Sequence, residues 1–229
     1  MTQNSADDGS KQTTTSLIAA ELRIAIQQGE LRPGERLKID HLKKRFETAV
    51  NPVREALNRL VAEGMVDLAD HKGFSVATIS LEAWRDLLEA RCLIESGALR
   101  KSILNPTEEW RDEIVVSLHR LLRTPRFHDD ERAVMNPEWE RIHHWFHRSL
   151  LARCGSEVVL SMCDDLRLRS DRYRVIARRA RHARTSYNEE HALIADLAIK
   201  GDAERAVDEL VKHYRATLGE VEMYFKSAS

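Results

Sequence analysis

Four histidines in the second half of the chain have the residue type and spacing to hold a metal ion. His143 and His147 are four apart, so a helix would stack them on one face, beside the apolar stripe Trp139, Ile142, Phe146 and Leu150. His191 lies in line with Tyr187, Ile194 and Ala198, and His213 borders the line through Leu210 and Thr217. Neutral imidazoles turned toward a bundle core suit zinc, nickel or a similar borderline divalent ion. The same spacing also fits histidines scattered through a core or over a surface, and spacing alone does not choose. A metallohydrolase reading fails on one residue. The His-x-x-x-His helix of zinc proteases needs a glutamate directly after its first histidine as general base, and residue 144 is histidine.

Helices must position these residues, and the sequence marks where they start and stop. Asn136-Pro137 reads as a cap and first-turn proline opening a helix to about Arg153, where Cys154-Gly155-Ser156 interrupts it. A long helical stretch then runs to about Arg181, and another from Thr185 to Lys200. Gly201-Asp202 is a stop followed by a cap, and a last helix reaches about Phe225. Upstream, Ser80 caps a long helix to about Ser102 that carries Trp84, Leu88, Arg91 and Ile94 on one side, and Thr107 starts another to about Arg123. The polar stretch Thr124–Met135 reads as a loop. Residues 79–229 are thus predicted to be an all-α bundle of about six helices.

Before Thr78 the pattern differs. Residues 1–13 read as a disordered tail, and Leu17–Gln28 as a helix ended by Gly29 and the Arg32-Pro33-Gly34 turn. Leu37–Phe46 is a short second helix. Asn51 before Pro52 has the form of an N-cap, and Pro52–Glu63 buries Val53, Ala56, Leu57 and Leu60 while Arg54, Asn58 and Arg59 face outward. Met65–Leu68 and Phe74–Ala77 are β-prone runs around Ala69–Gly73, a small hairpin. Three helices and a hairpin over residues 14–78 describe a winged helix-turn-helix.

Composition sets the outer bounds. The 229 residues are 42% hydrophobic and 32% charged, enough to build cores and too charged for a membrane protein. No apolar run nears the ~20 residues of a bilayer span, and the polar start has no secretory h-region. Three cysteines, Cys92, Cys154 and Cys163, are too few and odd for a disulfide scaffold. The expectation is a cytoplasmic, mostly helical protein without a membrane partner. The net charge of −1 hides two basic clusters. Arg36–Arg59 holds seven basic residues against three acids, and Leu166–Arg184 holds eight arginines against Asp171. Either cluster fits a nucleic-acid or ligand surface, and either fits a solvated helix face.

The first cluster lies within a longer pattern. Leu31-Arg32-Pro33-Gly34-Glu35-Arg36-Leu37, Asn51-Pro52-Val53-Arg54-Glu55-Ala56-Leu57-Asn58-Arg59-Leu60, Glu63-Gly64-Met65-Val66 and Lys72-Gly73-Phe74-Ser75-Val76 closely resemble the GntR-type bacterial repressors over residues 16–77. The resemblance implies a DNA-binding regulator rather than an enzyme. Its second motif helix would enter the major groove of double-stranded operator DNA, with the wing beside it. Arg54 would contact a base or phosphate, and Lys43 and Lys44 would contact phosphates. His71, Lys72 and Gly73 would form the wing tip. The family usually has Ser-Arg-Thr before the proline, and here Ala49-Val50-Asn51 stands there. Asn51 could cap the helix, touch a phosphate or read adenine.

Residues 80–225 look like the helical ligand-binding domain, called FCD, of the fatty-acid-regulator-like branch. The resemblance rests on Arg91 and Glu95 in the first helix, on Phe146-His147, and on His191 through Gly201-Asp202 to His213. It implies one divalent metal per subunit, zinc or nickel, held by His147, His191 and His213. His143 stands where the family has aspartate, making the site all-nitrogen if it binds. A small carboxylate effector would bind beside the metal, with Arg91 as its counter-ion unless a bundle carboxylate takes that arginine. Arg169 and Arg172 would be further effector contacts. A homodimer on a pseudo-palindromic operator is the expected working form. The remaining rival is a regulator whose bundle only dimerises and whose histidines are structural.

Overall fold

The computed structural model describes residues 13–69, 71–128, 136–179 and 186–228. Most of the expected tail, residues 129–135 of the Thr124–Met135 loop, Arg181, Arg184 and Thr185 therefore lie outside the described residues. The chain divides into two compact units, one ending at Thr78 and the other beginning at Ile79.

The first unit is built from α1 (Thr14–Gln28), α2 (Ile39–Arg45), α3 (Val50–Ala62), β1 (Val66–Ala69) and β2 (Gly73–Val76). Thr13 caps α1 by accepting from the Ser16 amide at 3.2 Å, and Gly29 ends it with φ 75°, a conformation glycine adopts without strain. The inward face of α1 (Ile18, Leu22, Ile26) meets Val53, Leu57 and Leu60 of α3, all buried. Fully burying each such side chain contributes roughly 1.5–3 kcal/mol. Arg23 donates to both carboxylate oxygens of Glu63 at 2.9 and 2.6 Å, clamping α1 to the end of α3. The antiparallel hairpin pairs Val66 with Val76 and Ala69 with Gly73. At its tip His71 and Gly73 both have positive φ, 60° and 75°.

One boundary departs from expectation. α3 begins at Val50, and its N-cap is Ala49, which makes no side-chain cap bond. Asn51 is therefore an exposed second residue of the helix and not its cap. Pro52 still lies within the first turn, where amides have no intrahelical acceptor and a missing N–H costs little.

The second unit comprises α4 (Leu81–Leu104), α5 (Glu108–Arg123), α6 (Pro137–Leu151), α7 (Glu157–Arg179), α8 (Tyr187–Lys200) and α9 (Ala203–Ala228). Ser80, Thr107 and Asn136 cap α4, α5 and α6 through their side chains, as their residue types prescribe. α4 packs against α7 and α9, and α5 against α6 and α8. Ser117 and Ser149 meet at 3.1 Å between α5 and α6, and the Trp110 indole N–H donates to the Ser149 carbonyl at 2.8 Å. Small residues thus let these helices approach closely around a tryptophan anchor. The fold is mostly α, a winged helix-turn-helix followed by a helical bundle. Among the described residues no helix is long and apolar enough to cross a membrane.

Candidate metal centre and nucleic-acid interface

The helical phase of α6 turns His143 and His147 inward with Phe146 and Leu150, α8 turns in His191, and α9 turns in His213. All four are buried, and one nitrogen of each lies within 4.8 Å of those of the others. His147 Nε2 sits 3.0 Å from His143 Nε2 and 3.3 Å from His191 Nε2. Nitrogens around a tetrahedral zinc with ~2.05 Å bonds stand ~3.3 Å apart. Trp139 stacks on His143 with ring centroids 4.6 Å apart and an 11° interplanar angle, holding that imidazole in place.

The outer partners decide which nitrogen of two rings carries the proton. His191 Nδ1–H donates to the Tyr187 carbonyl at 2.6 Å. His213 Nδ1–H donates to Glu190 Oε2 at 2.8 Å. In a neutral imidazole this leaves Nε2 with its lone pair turned to the centre, the tautomer a metal ligand requires. Tyr187 also brings its hydroxyl to 3.3 Å from His143 Nε2. Four nitrogen donors, two of them oriented from behind, fit a borderline divalent ion and fit hard oxygen-seeking cations poorly.

A small cavity adjoins this cluster, lined by His143, His147 and His213 together with Trp84, Arg91, Arg167, Tyr187 and Tyr214. Arg91 lines it, but its guanidinium is already engaged by Glu95 one turn along α4, at 2.6 and 3.2 Å. The bundle carboxylate has taken the arginine that was expected to meet an effector. Burial opposes the Arg91 charge, yet Glu95 together with Tyr214 and Asp171 more than offsets it and raises the pKa.

Arg169 and Arg172 do not line the cavity. Arg169 is exposed and Arg172 half-buried, because the inward phase of α7 runs through Leu160, Cys163 and Ser170. Arg167 shares that phase and reaches the cavity, paired with Asp171 at 2.7 Å. The buried positions around it were the signal that would have selected it. Glu190 carries no such signal, since it neighbours His191 in sequence but serves His213 on another helix.

In the first unit Asn51, Arg54 and Asn58 are exposed along α3, Lys44 is exposed on α2, and Lys43 is half-buried. His71, Lys72 and Gly73 are exposed at the wing tip. A recess between these elements is lined by Arg36, Lys38, Arg54 and Lys72, with His41 and Asn58 and the single acid Asp40. Sequence reading counted Arg36 and Lys38 only as cluster charge. Arg59 is held elsewhere, donating to Ser16 Oγ at 3.0 Å. The recess concentrates positive potential of the kind that attracts a phosphate backbone.

A winged helix-turn-helix with a basic recess, followed by a helical bundle, defines the class of bacterial DNA-binding regulators. Residues 14–76 match the family described as bacterial regulatory proteins, gntR family, and residues 86–216 match the FCD domain. The chain is 37% identical over 219 residues to the uncharacterized HTH-type transcriptional regulator BphR of Paraburkholderia xenovorans (strain LB400), covering 91% of this chain and 86% of the relative. It is 33% identical to the HTH-type transcriptional repressor GlaR of Escherichia coli (strain K12), covering 72% and 74%. The solved structure of E. coli McbR/YncC shares the fold at TM-score 0.72 and 19% identity, over 95% of this chain and 99% of that one. The chain belongs to the GntR family and is a transcriptional regulator with an FCD domain, not an enzyme.

Proposed function

We propose that this regulator binds a pseudo-palindromic operator as a homodimer, acts as a repressor like its relative GlaR, and is controlled through a metal-supported effector site in the bundle. One divalent ion per subunit, zinc or nickel, would be held by His147, His191 and His213, with His143 as fourth ligand. The observation that carries this reading is the convergence of four buried imidazoles, two of them oriented by Tyr187 and Glu190. When bound, the ion supplies a positive centre for an anionic ligand and ties α6, α8 and α9 together, stabilising the bundle by linkage.

A small carboxylate effector in the adjoining cavity would meet Arg167 through its Nε, which has no hydrogen-bond partner among the described residues, while Nη1 stays on Asp171. It would meet Arg91 only by competing with Glu95, a rearrangement that offers a route to repacking α4. Such a ligand must bind the operator-competent and operator-released arrangements with different affinity, or it switches nothing. Arg54, Asn51 and the wing tip would contact DNA, with Lys43 and Lys44 on phosphates.

The test compares metal content and melting temperature of wild type, His191→Ala and His143→Ala after chelation and metal return. Loss of metal and of the chelator response in His191→Ala is the expected result. Full metal retention in that variant would refute the site, and retention in His143→Ala alone would leave a three-histidine centre. Sedimentation of the full chain with operator tests the dimer, and tight operator binding by a monomer would sink it.

A further inference from the structure

We propose that Val50 reads the 5-methyl group of a thymine in the major groove. The inference rests on α3 being the DNA-reading helix. Val50 is the first residue of α3 and is 36% exposed, whereas Val53, Leu57 and Leu60 of the same helix are fully buried. The exposed Ala49 before it makes no side-chain cap bond. A serine, threonine, asparagine or aspartate there would stabilise the helix start, so the chain forgoes a polar cap at Ala49 and opens α3 with the apolar Val50.

The surroundings say what these methyls face. Asn51, Arg54 and Asn58 are exposed along the same helix, and Arg54 and Asn58 also line the basic recess. Val50 is therefore continuous with the DNA-binding surface. In a helix-turn-helix the N-terminal residues of the second helix contact base edges. The one apolar group those edges offer is the thymine methyl, while Asn and Arg side chains match adenine and guanine edges. A β-branched valine in a helix keeps a single favoured χ1 rotamer. Its two methyls are held in place before DNA arrives, so the contact sacrifices little side-chain entropy.

The experiment uses the full-length protein and duplexes that it selects from a random pool. Each thymine is replaced in turn by deoxyuridine, which removes one methyl and leaves every hydrogen-bonding group. At one position per half-site wild type should lose about fourfold in affinity, the worth of one buried methyl-sized group. Val50→Ala should bind the thymine duplex correspondingly weakly and no longer distinguish thymine from uracil there. Its melting temperature, read alongside, should stay near that of wild type because Val50 lies outside the buried stripe of Val53, Leu57 and Leu60. Indifference of wild type to every replacement, or full discrimination kept by Val50→Ala, overturns the proposal. Arg54→Ala on the same duplexes separates the two levels. If it binds like wild type, α3 is not the reading helix and both readings fall. If it binds weakly while every thymine replacement is silent, only the methyl contact falls.

Discussion

Arg91 and Glu95, one turn apart on α4, form a two-pronged ion pair inside the bundle, with Arg91 Nε donating to Oε1 at 2.6 Å and Nη2 to Oε2 at 3.2 Å. Tyr214 of α9 closes the pair, its hydroxyl donating to Glu95 and its ring lying 4.1 Å from the guanidinium carbon. Burial pushes the Tyr214 hydroxyl well above its ordinary range, so it serves as a neutral donor. His213, the neighbour of Tyr214 in sequence, belongs to the histidine cluster, and α9 therefore carries both groups.

Glu95→Ala should destabilise the protein by about 3–5 kcal/mol, because it strands a buried guanidinium. The double variant Arg91→Met, Glu95→Leu should cost markedly less. Urea unfolding of the three proteins measures the difference, and a double variant that loses as much as Glu95→Ala or more would show that a stranded guanidinium is not what makes the single variant costly.

Glu190→Gln keeps the shape of the residue behind His213 but removes the carboxylate that orients its ring. Metal affinity, read by competition with a chelator, should fall about 10–100-fold. Unchanged affinity would mean that His213 is not a ligand or is oriented by other means.

Arg54→Ala should weaken operator binding by about 1–3 kcal/mol and relax sequence preference at one position per half-site. Lys43→Ala should weaken all duplexes alike and reduce the salt slope by roughly one unit. Titrations at several salt concentrations check both, and equal salt slopes for wild type and Lys43→Ala would remove that lysine from the phosphate contacts.

Burial pushes the Cys163 thiol up to about 12, whereas an unfolded thiol ionises near ~8.5. Between these values the unfolded chain has lost its proton and the folded chain keeps it. The stabilising contribution is whole below the lower value and declines as pH rises toward the upper one. Cys163→Ala should flatten the fall of stability between about pH 9 and 12, measured by denaturant unfolding. In the folded wild type this thiol should resist alkylation at pH 8; rapid modification would contradict its burial.

Much of the architecture could be read from short stretches of chain, because it depends on neighbours along one helix. Ser80, Thr107 and Asn136 satisfy amides two or three residues ahead, and Gly201 ends α8 in the left-handed region. The apolar stripe beside His143 and His147 likewise dictates which way those rings point once α6 forms. Where the same local rules offered two answers, they misled. Asn51-Pro52 has the form of a cap and first turn, yet the chain leaves Glu47 with φ 48° and enters α3 at Val50, two residues after Thr48.

What lay beyond sequence reading were the choices that depend on distances between helices. Arg91 had two available partners, and the closeness of Tyr214 on α9 favours the one within α4. The arginine that α7 offers to the cavity is Arg167 and not Arg169, since α7 packs on α4 and α9 through the phase of Cys163 and Ser170. Glu190 meets His213 across 23 residues of chain. Periodicity orders side chains around one helix axis, and it carries no information on where a second axis passes. The helices and the inward turn of the histidines were thus local properties of the amino-acid string, while the meeting of the four imidazoles and the pairing of the buried charges were decided by packing.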